Sequence, residues 1–353
     1  MKKVIFIGMD LFPPYNEFCS KLADILIAGL SFGRGYQVIS FGNPGVKMSS
    51  APNENYIAVP NYHVLMNAIL LPIWIIRYSY GEKAIVHFLM PAKHTKYVKA
   101  LIFLCRFLGH KTVFTLLKSS DEQILCSSNS DRIVTQSQWS TSRARTLLER
   151  KDRIREIVPG SVEFENSLVE RRPRTVLFVG VPWKRSDFEK RGVYFFFELV
   201  NETFEVDKSI EFILVNRSIT NRDYIEELAS NTKGNLTIEH KSVENMGDLF
   251  SSVSIFLCLH QNMECPDPPL SVIEAISCGC PIISTKFNSV AHDIVTSNCG
   301  DIVAVDASSF AESIIRISDN SGTYVDNARR LGSSSYQIAR FKEKYNTLYS
   351  ELD

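Results

Sequence analysis

The sequence predicts an α/β chain built as two doubly wound, Rossmann-like halves in succession. Three observations carry this prediction. The chain opens on a short apolar strand that leads through a Pro-rich loop and a helix to a second strand. A fresh strand of the same kind, Thr175-Val-Leu-Phe-Val-Gly180, starts near the middle. In the last third, a loop, a short helix, a glycine stop and a strand run from Glu264 to Thr285. With 353 residues there is chain enough for two cores.

Lys3 to Gly8 is an apolar run closed by glycine, as a parallel strand buried on both faces requires. Phe12-Pro-Pro-Tyr15 is a loop, and apolar residues at 18, 22, 25, 26 and 30 give Phe18 to Leu30 a helical spacing. Gly33, Arg34 and Gly35 break that helix before a strand at Tyr36 to Phe41, which completes a right-handed crossover unit. Further strands are expected at Ala84–Phe88, Thr112–Thr115 and Arg132–Gln136, with helices at Lys96–Leu108 and Ser140–Leu148. The charged, weakly patterned stretch 163–173 reads as a linker.

The second half continues with helix Val193–Val200, strand Ile210–Val215, helix Asp223–Ala229 and strand Leu236–Glu239. Helix Met246–Ser251, strand Val253–Cys258 and strand Asp301–Val305 frame the loop-helix segment. A final helix, Ile338–Leu352, has aromatics at 341, 345 and 349. The expected organisation is therefore 1–165, 172–325 and a closing segment 326–353.

Composition narrows the function. The 39 basic and 39 acidic residues cancel, which argues against a nucleic-acid partner. Eight cysteines form no Cys-x-x-Cys pair, and several sit in apolar runs, so they read as buried reduced thiols of a cytoplasmic protein. No Asp-x-Asp triplet occurs. The longest apolar stretch, Val64 to Ile76, contains Asn67 and Pro72 and is shorter than the ~20 residues that span a bilayer.

The segment Asp267-Pro-Pro-Leu-Ser-Val-Ile-Glu274-Ala-Ile-Ser-Cys-Gly279-Cys-Pro281 carries the chemistry. Its prolines exclude strand and helix interior, Leu270 to Ser277 is a short apolar helix, and Gly279 ends it. A loop-to-helix junction of this kind attracts anions in open parallel sheets. Glu274, one turn inside the helix, sits where a carboxylate would take two ribose hydroxyls. The segment resembles the nucleotide-sugar site of the family 4 glycosyltransferases of the GT-B fold, whose pattern is a Glu, seven residues, a second Glu, then Ala and a small-residue, Gly, Pro and strand ending. Glu274, Ala275, Cys278, Gly279 and Pro281 match that pattern.

The resemblance implies two Rossmann-like domains facing across a cleft, with the last helix returning to the first. It implies transfer of a sugar from a nucleotide-diphosphate donor to a glycan or lipid-linked acceptor, with retention at the anomeric carbon and no metal or other cofactor. Donor contacts carried over are Glu274, Gly180, Leu270, Ser271 and the amides of Val272 and Ile273, with Arg191 as the second basic position of a Gly-Arg…Lys-Gly pattern. Val181 stands where that pattern has its first Arg, so Lys184 or Arg185 is expected to reach in instead. The first Glu of the site falls on Pro266, with Asp267 or Glu264 as substitute catalytic carboxylate. His87 matches the first His of a His-x-His strand end, where Leu89 replaces the second. Two other readings stay open: a catalytically inactive GT-B subunit that activates a partner, and a nucleotide-sugar epimerase of the GT-B type. Lys93, His94, Lys96, Lys99, Arg106, His110 and Lys111 surround an apolar helix, so weak contact of 93–111 with anionic membrane, at its inner face, is a further expectation.

Overall fold

Apolar strands alternating with helices build two sheets, each entirely parallel among the paired strands. The computed structural model describes residues 1–9, 11, 18–30, 33–41, 53–59, 64–79, 81–90, 95–161, 169–216, 221–241, 243, 245–262 and 267–353. The chain divides into two compact units, Met1–Val158 with Ile338–Asp353, and Pro159–Gln337.

The first unit runs β1 (Val4–Met9), α1 (Phe18–Ala28), β2 (Tyr36–Phe41), β3 (Tyr56–Val59), α2 (Val64–Ser79) and β4 (Ile85–Leu89). It continues with α3 (Thr95–Phe107), β5 (Lys111–Thr115), α4 (Asp121–Ser127), β6 (Arg132–Thr135), α5 (Gln138–Leu147) and β7 (Ile154–Glu156). The sheet order is β3-β2-β1-β4-β5-β6-β7. Side-chain alternation sorts the strands between two cores. Ile5, Ile7, Val86 and Phe88 pack against α2 and α3, while Val4, Phe6 and Ile85 face α1 and the last helix of the chain. That helix presents Phe341, Tyr345 and Tyr349 along one stripe, and all three are buried in the core of the first unit.

The second unit comprises β8 (Thr175–Phe178), α6 (Phe188–Arg191), α7 (Val193–Val206), β9 (Glu211–Val215), α8 (Arg222–Ser230) and β10 (Asn235–Glu239). It closes with α9 (Met246–Ser252), β11 (Ile255–Cys258), α10 (Leu270–Ser277), β12 (Ile282–Thr285), α11 (Ala291–Thr296), β13 (Gly300–Val303), α12 (Ala307–Asp319) and α13 (Ser321–Ser335). The returning helix is α14 (Ile338–Ser350). Strand order is β10-β9-β8-β11-β12-β13. Phe178 stacks on Phe196 of α7 at 4.9 Å, and Phe195 meets Phe310 of α12 edge-on at 5.2 Å.

The chain leaves the first unit at Val158, ahead of the 163–173 linker expected from charge, and residues 162–168 lie outside the described set. It returns at Ile338 rather than at 326, because α13 packs on α10 within the second unit. The outgoing and returning segments run side by side, with Ser161 N donating to Tyr336 O at 2.9 Å.

Candidate functional site

In the second unit the chain passes from β8 to β9 on one side of the sheet and from β11 to β12 on the other. The carboxyl ends of β8 and β11 therefore flank the topological switch point, where open α/β sheets collect ligands. Every site residue expected in this half lies after one of those two strands.

After β8, a side chain on Gly180 would meet the Phe178 ring at 2.7 Å, so this turn accepts only glycine without a shift of that ring. Asn221 Nδ2 donates to the carbonyls of Pro182 and Trp183 at 2.9 and 3.1 Å and pins the loop. Lys184 and Arg185 are exposed on it. The Arg185 guanidinium lies 4.2 Å from the Tyr224 ring centroid, a cation–π contact that turns it toward α8. Phe188 is fully buried and anchors α6. Gly192 then takes a left-handed φ of 72°, and a Cβ there would stand 2.2 Å from Leu259 O. Gln261 N donates to Lys190 O at 3.0 Å, so the end of α6 is fastened to the segment after β11.

That fastening brings Arg191 to His260. Arg191 Nη1 donates to His260 Nε2 at 3.0 Å. Burial, with the Arg191 charge second, pushes the His260 pKa down to about 3, so the ring is neutral. His260 Nδ1 has no hydrogen-bond partner among the described residues. His260 went unnoticed in the sequence. The signal that would have found it is its place two residues past an apolar strand that precedes a Pro-rich loop.

Glu264 and Pro266 lie outside the described residues. Asp267 is buried, 4% exposed, ahead of a cis bond to Pro268. Leu270 opens α10, whose N-cap is Pro269 with no side-chain cap. Ser271, expected to cap the helix, is half-buried and makes no cap bond. The amides of Val272 and Ile273, expected to face phosphate, instead donate to Pro269 O at 3.0 and 3.5 Å. Their side chains are fully buried. The reason is general: an N-cap carbonyl takes the first intrahelical bonds, so the amides left for an anion are the earlier ones, here Leu270 and Ser271. Glu274 is half-buried between core-facing Ile273 and Ala275. Gly279, φ 71°, ends the helix, with Gly279 N bonded to Ile276 O and Cys280 N to Ala275 O, both at 2.9 Å, a Schellman stop.

On the other side of β8, Asn216 Nδ2 donates to His240 Nδ1 at 3.0 Å, and His240 Nε2 in turn donates to Glu226 Oε1 at 2.8 Å. No local sequence pattern marks these three residues, which come from α8 and from the ends of β9 and β10.

In the first unit, His87 is not an open strand-end histidine. It is fully buried, with Nδ1 2.7 Å from Tyr349 Oη and Nε2 2.7 Å from Thr115 Oγ1, and Thr115 Oγ1 is 3.0 Å from Tyr345 Oη. Desolvation brings its pKa down to about 3. Nδ1 is spent on Tyr349 of α14 and Nε2 on Thr115 of β5, so the expected catalytic role gives way to a structural one. In α3, Val98, Leu101, Ile102 and Cys105 face the core, whereas Phe103 and Phe107 are 66% and 78% exposed. Lys93 and His94 lie outside the described residues, and His110 is buried with Nδ1 accepting from Ala84 N at 3.1 Å. Among the described residues no helix is long and apolar enough to cross a membrane.

Residues 173–320 match the family model of the group 1 glycosyl transferases. Comparison with curated proteins finds no match. Anabaena HepE in complex with UDP is 13% identical, with a TM-score of 0.75 over 99% of this chain and 100% of its own. The lipopolysaccharide outer core galactosyltransferase WaaB in its apo form gives 14% identity and a TM-score of 0.74 over 99% and 100%. The sucrose-phosphate synthase of Thermosynechococcus elongatus gives 14% and 0.70 over 99% and 99%. Residues 173–320, with Arg191, His260 and Glu274 among them, are thus similar to the group 1 glycosyl transferases, in a chain of the GT-B fold.

Proposed function

We propose that the protein transfers a sugar from a nucleoside-diphosphate donor, with uridine as the leading base, to a glycan or lipid-linked acceptor, with retention at the anomeric carbon. The observation that carries the reading is the seating of Arg191 at the switch point, on the same sheet edge as the start of α10. UDP and UDP-glucose are bound in structures of HepE, which supports the choice of donor. In this reading Glu274 takes the ribose hydroxyls. Arg191 and the first amides of α10 take the diphosphate and stabilise the charge that grows on it as the glycosidic bond breaks. No metal is required for that step. Lys184 and Arg185, exposed on the loop after β8, contribute at longer range. Asp267, buried just ahead of α10, is the carboxylate assigned to the sugar.

The exposed Phe103 and Phe107 beside Lys96, Lys99 and Lys111 favour a lipid-linked acceptor reached from a membrane surface. Saturation-transfer NMR with a panel of nucleotide sugars tests the donor. Signal from UDP-sugars supports the reading, and silence across uridine, guanosine and adenosine diphosphate sugars sinks it. The burial of His87 supports one rival, a donor-binding protein that activates a partner and transfers nothing itself. Hydrolysis or transfer of a bound donor by the purified chain separates the two.

A further inference from the structure

One element of the anion subsite deepens the reading above and rests on it. A guanidinium nitrogen can only donate, so His260 Nε2 accepts from Arg191 and the neutral ring carries its proton on Nδ1. This is the one hydrogen bond of the Arg191 side chain among the described residues, and no carboxylate pairs with that guanidinium there. The imidazole is itself held: His260 is 7% exposed, its carbonyl accepts from the buried Thr285 hydroxyl, and the preceding Leu259 carbonyl is pressed against Gly192. A carboxylate at position 260 would orient the guanidinium too, but would cancel its charge. A neutral imidazole orients without neutralising.

We propose that His260 is a positioning residue for the donor diphosphate, fixing the Arg191 guanidinium at the carboxyl ends of β8 and β11 while leaving its charge to the phosphates. The low pKa of the ring, about 3, keeps it an acceptor across the working pH range.

The test is calorimetric titration with UDP, GDP and ADP and with the corresponding nucleosides. His260→Met fills the same space with only the weak acceptor of a thioether, and its affinity for the diphosphate should fall about tenfold, the weight of one charge-assisted hydrogen bond. Its affinity for the nucleoside should not move. His260→Gln, whose Oε1 reaches the place of Nε2, should restore most of the loss. Arg191→Ala with His260→Met should lose no more than Arg191→Ala alone, because the histidine acts through the arginine. Unchanged diphosphate affinity in folded His260→Met overturns the positioning role. So do additive losses in the double variant, or rescue by His260→Asn, which imitates Nδ1, in place of Gln. Those results leave the donor reading standing. A wild-type chain that binds none of the three diphosphates brings down that reading and this inference together.

Discussion

Glu274 stands out in the sequence because a charge among Val272, Ile273, Ala275 and Ile276 on an eight-residue helix is seldom placed there without a partner. Glu274→Ala should lower donor affinity about tenfold or more, since a hydrogen bond to a charged group contributes roughly 1.5–3 kcal/mol. A folded variant with wild-type titration curves removes the ribose assignment. His87 was misread for a physical reason: the hydroxyl that covers it, on Tyr349, arrives from 262 residues further along the chain. Both His87 and His260 have folded pKa values near 3, below the ~6.5 of an unfolded histidine. The unfolded chain therefore binds more protons between those values. Stability is unaffected by these groups above pH 6.5 and falls as pH drops through the window toward 3, by up to about 1.4 kcal/mol per pH unit for each ring. Urea midpoints recorded from pH 8 to 4.5 should fall more gently for His87→Gln than for wild type. Parallel curves would show that His87 takes up its proton equally readily in the folded and unfolded chain.

At the scale of elements, long runs with one period were plain and short edges were not. α10 and β2 coincide with the segments expected, Leu270–Ser277 and Tyr36–Phe41. β3 and β7, of four and three residues, are too short to show an alternation, and α2 carries Pro72 inside an otherwise apolar helix. α12 was readable in hindsight: Asp306 caps it by accepting from Ser309 N at 2.8 Å. The spacing of α3 gave its period but not its orientation. Its larger rings at 103 and 107 point outward while smaller residues fill the core. The predicted consequence is weak binding to anionic vesicles. Replacing Lys93, Lys96, Lys99 and Arg106 with Gln should release the protein, at about 1 kcal/mol per basic residue near the surface, as should high salt. Arg106 should contribute least, because Asp131 already pairs with it at 3.4 Å. Wild-type protein that stays in the supernatant with anionic vesicles removes the membrane from the account.

For the whole molecule, two doubly wound sheets followed from two sets of apolar strands, but the place where the chain crosses between units did not. Charge in 163–173 suggested a linker, whereas the crossing is set by Ser161 lying beside Tyr336, a pairing no local pattern announces. The domain as a whole gives the fourth prediction. On the proposed reading, in which Arg191 and helix amides meet the diphosphate, donor binding should survive a chelator, and activity lost to chelation and restored by manganese would contradict it. The order in which residues are made adds a last consequence. Helix α14 supplies Phe341, Tyr345, Leu348 and Tyr349 to the core of the first unit, yet it is synthesised after the whole of the second. A released chain ending at Gln337 holds every residue of the second unit, while the first lacks the Tyr349 and Tyr345 hydroxyls that meet His87 and Thr115. A protease added to such a chain should therefore cut within 1–158 and spare 173–320.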